Sequence, residues 1–191
     1  MKNRNGLLLL GALLASASLV ACSSSMNTKG KGIAQLMNDN QERVFYRVVD
    51  FVEDEMPGKD ERIYDIYITK VGKLTRYKIE YNGTSDSKIL MDEVVGKSIN
   101  EVRKLAEERA KETSEIDKVK AKVTTYSSGN NTIEEEIADV GNYKSLTNGQ
   151  IRDKYYSGYI EGNGVYLLVT EVSKGDVINF DKADGKIVEE K

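Results

Sequence analysis

The chain has 191 residues, 28 lysines and arginines against 31 aspartates and glutamates, one cysteine, one proline, and neither histidine nor tryptophan. A formal charge of −3 offers no basic stripe of the kind nucleic acid requires. Without histidine and with a single thiol, Ser-His-Asp triads, Cys-His dyads and zinc centres are excluded, so any catalysis would fall to carboxylates, lysines or tyrosines.

At the amino end, Lys2 and Arg4 form a basic start, Leu7 to Leu14 an apolar run, and Leu19-Val20-Ala21-Cys22 follows where a signal peptidase would cut. The run is broken by Gly11, Ser16 and Ser18 and falls short of the roughly 20 residues of a spanning helix. The tetrapeptide resembles a bacterial lipobox, which implies residues 1–21 as a removed signal peptide and Cys22 as the site of lipidation. Two or three acyl chains there suffice for stable membrane attachment. Ser23, rather than aspartate, follows the cysteine, and the resemblance then implies the outer membrane in a cell that has one. Loss of Lys2 and Arg4 leaves the exported part at about −5. With no second cysteine it has no internal disulfide and must rest on its core.

Residues 22–42 read as a lipidated, flexible tether, polar and small from Ser23 to Gly32, followed by a short helix from Ile33 to Met37. Arg43 to Phe51 is a strand, closed by the turn at residues 53–58. Ile63 to Lys70 and Lys73 to Tyr81 form a hairpin about Val71-Gly72, and Tyr77, Ile79 and Tyr81 alternate with charged residues. After the Asn82-Gly83 turn, apolar residues at helical spacing run from Ile89 to Glu112. Ser98 and Glu101 make a capping box that starts the firm helix. Lys118 to Tyr126 is a strand, Ser127 to Asn131 a loop and Thr132 to Val140 a short helix. Strands at Lys154 to Ile160, Gly164 to Val172 and Asp176 to Phe180 complete the pattern. Eleven tyrosines against three phenylalanines suit strands with one wet face. The expected class is α+β, an antiparallel sheet of hairpins with one main helix packed on it. The domain spans 43–140, and 141–191 forms a C-terminal hairpin segment that completes the sheet. Ile63 to Tyr81 aligns with Val165 to Gly185, each a tyrosine-bearing strand, a glycine turn and a second strand, so the tail reads as a truncated second repeat.

In order, Tyr64-x-Ile-x-Ile-x-Lys-Val-Gly-Lys-Leu-x-x-Tyr, Val94-Val95-Gly96-Lys97-Ser98, Asp117-Lys118-Val119-x-Ala121 and Thr124-Thr125-Tyr126-Ser127-Ser128 resemble the FMN-binding-domain lipoproteins, including the pheromone-precursor lipoproteins of Gram-positive bacteria. The resemblance implies a covalent flavin on a threonine, with Thr125 as the aligned acceptor and Thr124 beside it, and electron transfer as the activity. The chain departs from that pattern at Lys120, where the family has an acid, and at Lys122-Val123-Thr124-Thr125, which replaces a Thr-Gly-Ala-Thr core. Threonine also paves strands well. Val94 to Glu101 is similar to the opening of cell-wall-binding PASTA repeats, which implies peptidoglycan as a ligand. The acidic runs Glu53-Asp54-Glu55 and Glu134-Glu135-Glu136 lack the alternating spacing of a calcium loop.

The residues thus favour a lipid-anchored surface or periplasmic lipoprotein with a non-catalytic domain for binding or envelope assembly, no metal site and no cofactor expected. A covalent-FMN electron carrier and a peptidoglycan-binding module are the alternatives. The expected partners are the membrane through Cys22 and an envelope protein or peptidoglycan, with no role for nucleic acid.

Overall fold

The computed structural model describes residues 27–51, 53–71, 73–79, 88–125 and 132–182 fully, and 188–190 by their backbone. The expected signal peptide, Cys22, and the turn and loop expected at Asn82-Gly83 and Ser127 to Asn131 lie outside these residues.

Helix α1 (Ile33–Met37) precedes β1 (Arg43–Val49), β2 (Arg62–Lys70) and β3 (Lys73–Ile79). The β2–β3 hairpin turns through Val71 at φ +54°, the left-handed conformation that a two-residue hairpin demands. After the two-residue β4 (Ile89–Leu90) come α2 (Met91–Val94) and α3 (Ile99–Arg109). Ser98 caps α3 as its sequence demands: the Glu101 N–H donates to Ser98 Oγ at 3.4 Å and the Ser98 N–H to Glu101 Oε2 at 2.8 Å. Then follow β5 (Ala110–Ile116), β6 (Ala121–Thr125), β7 (Thr132–Ile137), β8 (Gly141–Ile151), β9 (Lys154–Glu161), β10 (Tyr166–Val172) and β11 (Val188–Glu190).

All the strands join one sheet, in the order β11-β6-β7-β8-β9-β10-β1-β2-β3-β5 with β4 beside β2. Its pairings are antiparallel except that of β11 with β6. The segments 43–140 and 141–191 therefore share a sheet, with β8 to β10 lying between β7 and β1.

The sheet is curled. In a flat sheet β5 and β6 would stand about 38 Å apart, eight strand spacings, yet Ile116 and Ala121 are joined by residues 117–120, which reach at most about 17 Å. The two flanks must bend toward each other, and each face of the middle strands is buried. On one face Tyr46, Val48, Ile66, Ile68 and Leu167 pack with Val102 and Ala106 of α3. On the other, Phe45, Tyr67, Leu74, Tyr143, Tyr159 and Leu168 pack with Ile33, Leu36 and Met37 of α1. That is why β1 reads as a nearly unbroken apolar run rather than an alternating one. The outermost β5 is exposed over its central residues 111–115, and its charged side chains suit a free edge.

Several expectations are corrected. Thr132 to Val140 is not a helix: Thr132–Ile137 is a strand held between β6 and β8, and pairing on both sides outweighs the helix propensity of three glutamates. The main helix ends at Arg109, and residues 110–112 instead pair with β3. Gly141–Ile151 is an eleven-residue strand that the sequence did not signal, because only Tyr143, Thr147 and Ile151 turn inward and a register shift breaks the alternation. Asp176 to Phe180 forms no strand, so the second hairpin on which the repeat would rest does not form there. The tyrosine bias also has a different cause: Tyr46, Tyr67, Tyr77, Tyr143, Tyr156 and Tyr159 are core residues.

Candidate functional site

Residues 28–34 run alongside 176–181 at the end of the curled sheet that α1 occupies. The Gly30 N–H donates to the Val177 carbonyl at 3.4 Å, the Asn179 N–H to the Lys31 carbonyl at 3.1 Å, and Thr28 Oγ1 to Asp176 Oδ2 at 3.3 Å. Asp181 holds the start of α1, accepting the Ala34 N–H at 2.8 Å and the Gln35 N–H at 3.1 Å. A Cβ on Gly32 would lie 2.2 Å from Asp181 Cγ, so only glycine admits that carboxylate. At the other end of α1, Asn38 clamps the β5–β6 link, its Nδ2 donating to the Val119 carbonyl at 2.8 Å and its Oδ1 accepting the Val119 N–H at 3.1 Å.

These contacts leave a groove of about 770 Å³ between α1, residues 118–123 and residues 180–182. Ala34, Val119, Ala121, Val123 and Phe180 supply apolar surface, and Lys31, Lys118, Lys120 and Lys182 supply charge. The carboxylate in the lining is Asp181, already bonded to α1. An apolar floor with lysines around it suits an anionic group attached to an apolar stem.

Beneath the groove lies a buried polar cluster. Glu135 is fully buried on β7, and its Oε2 accepts the Asp181 N–H at 2.8 Å and sits 2.9 Å from the Tyr159 hydroxyl. That hydroxyl accepts the Ile33 N–H at 2.9 Å and donates toward the Asn179 carbonyl, also at 2.9 Å. Glu135 Oε1 has no hydrogen-bond partner among the described residues. Burial, with the Asp181 carboxyl adding to it, pushes the Glu135 carboxyl well above the ordinary 4.5. The folded state therefore keeps a proton that the unfolded chain releases. The stability this contributes is complete below about pH 4.5 and is lost as pH rises through the folded value, at about 1.4 kcal/mol per pH unit. Urea unfolding between pH 5 and pH 8 should show Glu135→Gln losing much less stability with pH than the wild type. Parallel curves would mean that Glu135 is ionised in the fold.

Thr124 and Thr125 lie on β6, the strand that gives Val123 to the groove, and both are buried between β7 and the backbone of β11. Of Glu134-Glu135-Glu136 only Glu135 is buried, and it faces Tyr159. Of Glu53-Asp54-Glu55, Asp54 lies near two other carboxylates. The groove residues Gly32, Asn38 and Asp181 carried no local signal, since Asp181 meets Ala34 across 147 positions.

Comparison with protein-family models, with curated proteins and with solved structures gives no match for this chain.

Proposed function

We propose that the chain is an exported lipoprotein, held on a membrane by acyl chains on Cys22. Its domain is a non-catalytic module that docks an acidic, partly apolar segment of an envelope protein in the groove beside α1. What supports docking is the set of four lysines around an apolar floor, placed where the tether enters. Gly30 stands eight residues from Cys22, a reach of at most about 28 Å, so the groove stays near the bilayer that holds the lipid. Ser23 after the lipidated cysteine directs the protein to the outer membrane in a cell with two membranes. Burial of Thr124 and Thr125 within the sheet favours a packing role for both over a flavin attachment.

A photo-crosslinking residue at Gln35, exposed in the groove lining, tests the reading in whole cells. It should give one discrete adduct that Lys118→Glu/Lys120→Glu abolishes. Cys22→Ala should shift the protein from the membrane to the soluble fraction and remove the lipid mass. Co-sedimentation of the purified protein with cell-wall sacculi would make it a peptidoglycan module instead. A mass gain of one FMN, lost in Thr125→Val, would make it an electron carrier.

A further inference from the structure

The connection from β1 to β2, residues 50–61, gathers carboxylates away from the groove. Asp50 follows the last residue of β1 and Glu61 precedes the first of β2, so the two ends of the loop meet where the strands pair. Asp50, Asp54 and Glu61 each offer an oxygen within 4.8 Å of the others. Asp50 and Glu61 are buried and Asp54 is exposed. Two of the three are withdrawn from water, where like charges at that spacing repel strongly.

Glu61 adds a second, independent sign. It is only 4% exposed, yet its Oε2 has no hydrogen-bond partner among the described residues. A buried carboxylate oxygen without a donor is costly, and this one belongs to a carboxyl aimed at two others.

We propose that Asp50, Asp54 and Glu61 form a binding site for a calcium ion. The donors are all oxygen, with no nitrogen or sulfur, which selects a hard cation over zinc or copper. Calcium tolerates irregular geometry and fills its roughly six to eight positions with water and carbonyls, whereas magnesium demands a near-ideal octahedron. Asp54, at the surface, gives the ion its way in. Backbone donors hold the Asp50 carboxylate in place: the Glu53 and Glu55 N–H groups donate to its two oxygens at 2.8 and 2.9 Å. The Met91 N–H donates to the Glu61 carbonyl at 2.9 Å and the Asp92 N–H to the Lys59 carbonyl at 2.9 Å. Ion binding is thereby linked to the stability of the β1–β2 connection and of α2. Three carboxylates completed by water suit a dissociation constant of about 0.1–1 mM, the range of extracellular calcium modules.

Thermal unfolding of the purified protein at pH 7.5, stripped with EDTA and titrated with CaCl2, tests the site. The midpoint should rise and saturate, by about 4 °C or more at 10 mM, and isothermal titration with CaCl2 should return one site per chain. Glu61→Gln and Asp54→Asn should each abolish the rise. Asp54, being exposed, supplies a variant whose folding does not hinge on a buried group. The proposal is overturned if CaCl2 does no more than NaCl at matched ionic strength, if either variant keeps the full rise, or if MgCl2 produces the same rise at the same concentration.

Discussion

Gly158→Ala should destabilise the fold by roughly 3 kcal/mol or more, the largest effect expected of a single added methyl group among the described residues. Gly158 sits on β9 between Thr147 of β8 and Val169 of β10. A Cβ there would lie 1.9 Å from the Leu168 carbonyl oxygen and 2.8 Å from Val169 Cα. Both are backbone atoms of the neighbouring strand and cannot swing aside as a side chain would. The strands would have to part, breaking the β9–β10 ladder at the middle of the sheet, where both faces are buried. Gly162→Ala is the matched control, since its Cβ would meet the flexible end of Lys144 at 3.3 Å, and it should stay within about 0.5 kcal/mol of wild type. Urea unfolding of both variants separates a backbone clash from the general effect of removing a glycine. A near-neutral Gly158→Ala would show that β9 and β10 pair less closely than described.

Asp65→Ala should cost about 3 kcal/mol, because it takes the shared carboxylate from two half-buried arginines. Asp65 is fully buried on β2 and shares a face with Tyr67 two positions on. Arg76 from β3 binds it with two bonds, Nε to Oδ1 at 2.9 Å and Nη2 to Oδ2 at 3.1 Å. Arg47 from β1 approaches Oδ2 at 3.3 Å and reaches Glu161 of β9 with its Nε at 2.7 Å. Burial alone would lower the Arg47 pKa, but the hydrogen bond and charge of Glu161, with Tyr67 and Asp65, hold it above its usual value. The guanidinium also lies 3.9 Å from the centre of the Tyr166 ring and 5.2 Å from that of Tyr64, a favourable cation–π arrangement. Two arginines against two carboxylates balance, and removal of one acid unbalances them where water reaches the guanidinium groups only in part. Asp65→Leu combined with Arg76→Leu removes a whole pair and should recover much of the loss. If Asp65→Ala costs under about 1 kcal/mol, the network behaves as a solvent-screened surface pair.

How far the fold was legible depends on where each signal resides. Strands β1, β2, β3, β9 and β10 were readable because each carries a dense β-branched and aromatic run, and burial on one face or both leaves that trace in composition. The start of α3 was readable because Ser98 and Glu101 form a local device, complete within four residues. The glutamate-rich β7 and the polar β8 were not readable, since their conformation follows from partners rather than from their own residues. β7 is held by strands on either side, and β8 turns inward at only three positions. The run Asp176 to Phe180 looked like a strand because Ile178 and Phe180 face the core, but its backbone bonds go to residues 30 and 31 and to Ser157, not to a ladder.

The groove and the carboxylate clusters divide in the same way. Chemistry that is local, such as the lipobox-like run ending at Cys22 and the absence of histidine, could be read directly from neighbouring residues and from composition. By contrast, Glu61 acquires its meaning only beside Asp50 and Asp54, and Asp181 only beside Gly32. Sequence alone determined the elements whose information is carried within a few neighbouring residues: the hairpin, the cap of α3 and the apolar runs. The tertiary structure alone decided the curl of the sheet, the two faces of its core, the lysine-rimmed groove and the carboxylate trio. The physical reason is that a buried charge or a close backbone approach depends on which distant strands come together, and pairing energy is specified by both partners at once.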